Sequence, residues 1–247
     1  MILIQRGAAP EILNQSGTAK TRTLCEDYDQ GKGSFDFDSA VYGHKTVKQA
    51  LIDMQHGKCC FCESKILHIA SGDVEHYRPK AGYRQNRDEA LRKPGYYWLA
   101  YAWENLLLSC ERCNRQCKKN LFPLLDDDKR AHCHQDDIAM ETPLLINPTV
   151  TDPKNHIGFR DEIPYPIDDS PYGKTTIAAL GLDREELNEI RRTKLDKLKI
   201  LADIIKVAEA SPNQEDLRQQ AEKAHQFLLK SISPQAEYSA MVAAILL

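Results

Sequence analysis

Two short cysteine motifs constrain this chain more than any other feature. Cys59-Cys60-Phe61-Cys62 contains one C-x-x-C, Cys110-Glu111-Arg112-Cys113 contains another, and 47 residues separate Cys62 from Cys110. Two such knuckles can close a tetrahedral site in which Cys59, Cys62, Cys110 and Cys113 hold one Zn2+ ion. No open position is implied, so this zinc is expected to be structural, contributing on the order of 10 kcal/mol to folding. A lone C-x-x-C would read equally well as a redox pair or as buried thiols. The second knuckle moves the reading to metal. Cys25, Cys60, Cys117 and Cys133 are left over and read as small buried hydrophobes, with Cys60 and Cys117 the positions to which the ligand register could slip.

A hydrophobic fraction of 42% beside 28% charged residues excludes wholesale disorder. No run approaches the roughly 18 apolar residues of a membrane span, and no export signal is apparent. Eight cysteines in such a chain point to a reducing compartment, so a cytoplasmic protein is expected. The net charge is -3, yet residues 76–119 hold ten Lys and Arg against four Asp and Glu, a local +6 that leaves -9 elsewhere. A cationic strip on an acidic body suits a polyanionic partner better than a membrane.

Four regions follow from the patterning. Residues 1–54 form an N-terminal arm, polar and Gly-containing at 31–34. It ends in a helix whose apolar positions Val47, Ala50, Leu51 and Met54 share a face. Residues 55–123 carry the knuckles, most aromatics and the positive excess. Residues 124–174 are Pro-rich, making regular helix unlikely. From 175 to 247 the chain is expected to be helical. Asp183-Arg184-Glu185-Glu186 resembles a capping box, and Leu187, Ile190, Lys194, Leu198, Leu201, Ile205 and Ala208 recur at helical spacing. Ser211-Pro212 and Ser233-Pro234 read as caps with proline at the first helical position. They precede the stripes Leu217/Ala221/Ala224/Leu228 and Tyr238/Met241/Val242/Ile245.

Between the knuckles lies Asp73-Val74-Glu75-His76-Tyr77-Arg78-Pro79-Lys80. Neighbours on a strand point to opposite faces, so Glu75 and His76 can serve one phosphate only at a strand end or turn. Alone, Glu-His is an ordinary surface pair. An apolar strand, Asn105-Leu106-Leu107-Leu108-Ser109, enters the second knuckle, and a basic run, Asn114-Arg115-Gln116-Cys117-Lys118-Lys119, leaves it. Tyr96, Tyr97, Trp98, Tyr101 and Trp103 read as core rather than as a base-stacking platform. His132-Cys133-His134 lacks a partner pair for a second metal, and the acidic residues 126–128 read as a solvated turn.

The order C-x-x-C, Glu-His, Asn-Leu, C-x-x-C-Asn resembles the HNH nuclease family over about residues 57–123. More narrowly, Val74-Glu75-His76-Tyr77-Arg78-Pro79-Lys80, the second knuckle, Phe122-Pro123-Leu124 and Pro143-Leu144-Leu145-Ile146-Asn147-Pro148 resemble the PtuB family. Those proteins are the HNH subunits of Septu-type and retron-linked anti-phage systems. The resemblance implies an α+β, mostly helical protein whose ββα-metal (HNH) core is pinned by the four-cysteine zinc site.

It also makes His76 the general base, Glu75 and Asn114 ligands of a catalytic Mg2+ or Mn2+, and Asn105 the brace of the loop bearing His76. Hard magnesium prefers such oxygen donors and keeps several waters. Arg78, Lys80, Arg115, Lys118 and Lys119 would contact phosphates without reading bases. Glu stands where many family members carry Asp, lengthening that ligand by one methylene.

Implied partners are a nucleic-acid substrate, an ABC-type ATPase of the PtuA kind and, in the retron-linked branch, a reverse transcriptase complex. DNA is the expected substrate. An RNA such as tRNA, or a non-catalytic zinc adaptor role, remains as an alternative. The C-terminal helices and the apolar residues 241–247 are expected to dock the ATPase.

Overall fold

The computed structural model describes residues 1–167, 171–211 and 213–246, and it is organised about one short strand pair. β1 (Asp73–His76) lies antiparallel to β2 (Leu106–Ser109), with Asp73 opposite Ser109, Glu75 opposite Leu107 and His76 opposite Leu106. All four β2 residues are fully buried. Three consecutive leucines leave no polar face, which is how a strand covered on both sides reads in sequence.

The other edge of β2 is covered by the first knuckle. Cys60 N donates to Leu108 O at 2.9 Å. The Gln55 amide donates to Leu108 O at 2.8 Å and accepts from Leu108 N at 2.8 Å. A side chain thus replaces a third strand and leaves no open edge there. Gln55 follows α3 (Lys45–Met54), where Val47 and Leu51 are fully buried on the expected face.

About half of the chain is helical, in a mixed α+β arrangement with two small sheets. The arm contains more helix than its composition suggests. A wide turn, Leu13–Gly17, leads into α1 (Thr18–Asp29), which buries only Leu24, and a short α2 (Ser39–Tyr42) follows. In the Pro-rich region β3 (Ile157–Arg160) and β4 (Ile163–Pro166) form a hairpin. Among the described residues the expected absence of regular helix holds up to α4 (Pro171–Leu180).

The C-terminal region is α5 (Glu185–Ala210), α6 (Glu215–Ser231) and α7 (Ser239–Leu246). α5 begins one residue later than the capping-box reading places it. Arg184 is the N-cap residue, and its side chain bonds to Gly181 O and approaches Cys113 instead of capping. The buried stripe of α5 is Leu187, Arg191, Leu195 and Leu198, whereas Ile190 is 54% exposed. A buried arginine on this face turns Ile190 outward, and hydrophobic spacing gives no sign of it. Pro234 lies in a turn, not at a helix start, and Pro212 and Leu247 lie outside the described residues.

The apolar tail is open only in part, since among its described residues Leu246 is 38% exposed. Met241 and Val242 are fully buried and join one core cluster that also contains Met1, Ile4, Leu51, Leu106 and Leu198. Among the described residues no helix is long and apolar enough to cross a membrane.

Candidate functional site

The Sγ atoms of Cys59, Cys62, Cys110 and Cys113 lie within 4.8 Å of one another, and Cys62 and Cys110 approach to 3.8 Å. With Zn–S bonds of about 2.3 Å, the edge of a tetrahedron is about 3.8 Å, so these four sulfurs fit a metal ion such as zinc. Cys60 and Cys117 stand outside the cluster, which fixes the ligand register.

Glu63, next after Cys62 and left-handed at φ 64°, ties the knuckle inward. Burial raises its carboxyl pKa, but the Met1 amino group at 2.9 Å and Lys58 at 3.1 Å outweigh burial and hold it at about 2. The same carboxylate accepts from Ser239 Oγ at 2.9 Å, fastening α7 to the first knuckle.

The second knuckle continues into a seven-residue helical turn, Arg112–Lys118, closed by a wide bond from Lys119 N to Asn114 O at 2.7 Å. This turn faces β1 as two rungs. On the first, Asn114 Nδ2 donates to Asp73 Oδ2 at 3.1 Å, and Arg115 forms a fork on Asp73 at 2.8 and 2.7 Å. On the second, Lys118 Nζ lies 2.6 Å from Glu75 Oε1, with the two side chains 1% and 3% exposed. Lys118 also donates to His76 O at 3.1 Å. Burial raises the Glu75 pKa, and Lys118 and Lys80 oppose the rise.

Lys118 is therefore an internal counter-ion rather than part of an open strip. Glu75 and Asn114 each face a partner other than one another. Asp73 was legible as a third member, since residues i and i+2 of a strand share a face.

His76 lies at the end of β1, 7% exposed. Its Nε2 is 2.9 Å from Ala100 O. A carbonyl only accepts, so Nε2 carries the proton and Nδ1 presents a lone pair. Lys80 Nζ is 3.5 Å from that Nδ1, and the Tyr42 ring packs edge-on at 4.9 Å between centroids. Burial chiefly, and then Lys80, push the imidazole pKa down to about 3. Lys80 is itself held over Phe37 and Tyr42, at 5.5 and 4.8 Å from the ring centroids.

Asn105 spans the loop after His76. Its Oδ1 accepts from Arg78 N at 2.7 Å, and its Nδ2 donates to Arg78 O at 3.0 Å and Leu99 O at 3.1 Å. Arg78 Nε pairs with Glu141 at 2.9 Å, drawing it toward the Pro-rich region. Lys119 is exposed beside the knuckle turn.

Two cavities flank β1, one of about 420 Å³ lined by Tyr77, Arg78 and Glu141 and one of about 500 Å³ lined by Asp73, Arg115 and Arg112. His76 lines neither. Tyr96, Tyr97, Tyr101 and Trp103 are buried core residues. Asp127, in the supposedly solvated turn, is ion-paired with Arg130 at 2.7 Å.

No family model matches the chain. It is 36% identical over 241 residues to a Septu protein PtuB of Bacillus mycoides (strain KBAB4), covering 90% of this chain and 79% of the relative. It is 31% identical over 148 residues to a Septu protein PtuB of Bacillus thuringiensis, covering 59% of this chain and 44% of that protein.

Proposed function

Since the chain belongs to the Septu PtuB family, we propose that it is a metal-dependent HNH endonuclease, the effector subunit of an ATPase-coupled anti-phage system that cuts DNA. One observation carries this reading: His76 has its Nε2 proton committed to Ala100 O, which leaves Nδ1 as a proton acceptor 3.5 Å from Lys80, the lysine that also attracts the Glu75 carboxylate. A carboxylate this deeply buried and held by a cation fits a charged site better than a solvated surface pair.

Glu75 and Asn114 would supply the oxygen ligands, once Lys118 leaves Glu75 and Asn114 exchanges its bond to Asp73. When bound, a divalent ion neutralises charge on the phosphorane and the leaving oxygen. His76 Nδ1 takes the proton of the attacking water, and the bond to Ala100 O holds the ring in the one tautomer able to do so. Its pKa of about 3 keeps it neutral and unprotonated, but weakly basic. A substrate phosphate that pairs with Lys80 removes the nearest repelling charge and raises that basicity. Asn105 keeps the loop from Arg78 to Lys80 in place, and exposed Lys119, with Arg115 once it releases Asp73, would meet the backbone.

The Glu75–Lys118 pair favours a second reading, a non-catalytic zinc adaptor in which Lys118 permanently replaces a metal. One assay separates the two. The protein, with and without its ATPase, is offered plasmid, single-stranded DNA and total tRNA in Mg2+, Mn2+ or EDTA. Cleavage in the divalent ion, absent in EDTA and abolished by His76→Ala with zinc content unchanged, is the expected result. Undiminished cleavage by His76→Ala removes the general-base role. Intact substrates under every condition favour the adaptor, and cleavage of tRNA alone moves the substrate from DNA to RNA.

A further inference from the structure

The surroundings of the four cysteines hold more than the ligands need. Ser64 Oγ is 3.3 Å from Cys62 Sγ, Ser109 Oγ is 3.6 Å from Cys59 Sγ, and Cys113 N donates to Cys110 Sγ at 3.4 Å. Arg184 Nη1 donates to Cys113 Sγ at 4.0 Å. Two of the sulfurs thus accept from nitrogen donors, Cys110 from a backbone amide and Cys113 from a guanidinium. Such donors suit thiolates, which accept hydrogen bonds, better than thiols.

Charge points the same way. Four thiolates around one divalent cation sum to -2, in a site where Cys59, Cys62 and Cys113 are no more than 1% exposed. A buried excess charge needs a counter-ion. The long helix α5 brings two. Arg184 is its N-cap residue, drawn toward Cys113, Cys62 and Cys110. Arg191, two turns on, is 2% exposed, is attracted to Cys62 and Glu63, and leaves its Nε buried without a hydrogen-bond partner. Its Nη1 reaches only the neutral acceptors Leu182 O at 2.6 Å and Asn188 Oδ1 at 3.3 Å. Among the described residues neither guanidinium forms an ion pair with a carboxylate. Glu63, the nearest buried acid, already holds Lys58 and the Met1 amino group.

We infer that the four cysteines hold their metal as a dianionic tetrathiolate and that Arg184 and Arg191 of the C-terminal helix are its counter-ions, acting as positioning residues for the metal site. The sequence pattern hides this, because both arginines interrupt or precede an apolar stripe and read as ordinary helix surface. The inference is independent of the nuclease reading, since an adaptor needs the same clasp. Outer-shell partners typically change metal affinity by about 10- to 100-fold when removed.

The test uses the full chain loaded with zinc, and separately with cobalt. Zinc loss to a chromogenic chelator is timed for the wild type, Arg184→Met, Arg184→Lys and Arg191→Met, and the thiolate-to-cobalt charge-transfer band is recorded for each. Arg184→Met is expected to release zinc about tenfold faster or more. Removing the positive charge raises the sulfur orbitals, so its band moves to longer wavelength. Arg184→Lys keeps the charge and is expected to stay near the wild type in both readouts. If Arg191→Met fails to fold, the two Arg184 variants still decide the matter. Equal acceleration by Met and Lys with an unmoved band would reduce Arg184 to packing and overturn the inference. So would wild-type release by Arg184→Met.

Discussion

Lys118→Met tests the least expected contact of the site, a lysine that sequence places on a phosphate-binding strip and the fold places beside Glu75. At 2.6 Å, the gross attraction of two unit charges in an effective dielectric of 20 is about 6 kcal/mol. Desolvation offsets part of this, and removing one member of a buried pair typically costs about 3–5 kcal/mol. Lys80 also attracts Glu75 and stays in place, which argues for the lower end, about 3 kcal/mol. For a chain of this length that corresponds to a fall in Tm of about 6–12 °C. The double variant Glu75→Gln with Lys118→Met has no stranded charge, so it should recover about 2 kcal/mol relative to the sum of the single changes.

Urea unfolding of zinc-loaded protein, followed by tryptophan fluorescence, measures all four corners of that cycle. Coupling below about 0.5 kcal/mol, the additivity expected of residues that do not interact, would refute the pairing. A Mn2+ titration extends the experiment to function. If Glu75 can ligate a divalent ion, Lys118→Met should gain about 2.7 kcal/mol when Mn2+ reaches a hundred times its dissociation constant. The double variant should gain nothing, and equal gains in both would place the ion elsewhere.

Cys110→Ser should lose zinc, by elemental analysis, and soluble yield together, because about 10 kcal/mol of metal-derived stability rivals the whole margin of a domain. Asn105→Ala strips partners from Arg78 N, Arg78 O and Leu99 O. It should cost about 2–4 kcal/mol in chemical unfolding while retaining full zinc. Gly95→Ala would drive a Cβ into the backbone at Gly82 N and Pro79 O. A loss of about 1–3 kcal/mol with reduced cleavage is expected, and wild-type stability would show that the loop from 79 to 95 is free to move.

The cysteine clasp was readable because its spacing encodes its chemistry, and α3 and α6 because one apolar face carries their packing. What could not be read has local causes. α1 buries a single leucine, so no stripe announces it. Arg184 and Arg191 are committed to the knuckle side of α5, which shifts the helix start and turns Ile190 outward. Net charge along residues 76–119 suggests an open cationic face, yet Lys118 is buried on Glu75 and Arg78 is drawn to Glu141. Charge counting sees the sign of a side chain and not its partner. Asp73 lies just outside the counted window, and it claims the Arg115 guanidinium.

The geometry of β1 against the knuckle turn explains why these pairings come as a set. Residues two apart on a strand share one face, and the knuckle turn presents Asn114 and Lys118 toward that face of β1. Asp73 and Glu75 therefore match Asn114 and Lys118 over one repeat, and neither rung can slip without the other. Cys113 immediately precedes Asn114, so whatever fixes the metal also fixes the ladder, and Arg184 reaches the same cysteine from α5. An ion held by both Glu75 and Asn114 would sit on the diagonal between the rungs, where it must displace Lys118 and loosen Asn114 from Asp73 in one event. Divalent-ion binding should then be slow and cooperative with movement of the turn, whereas an ion held by Glu75 alone would need only Lys118 to swing away.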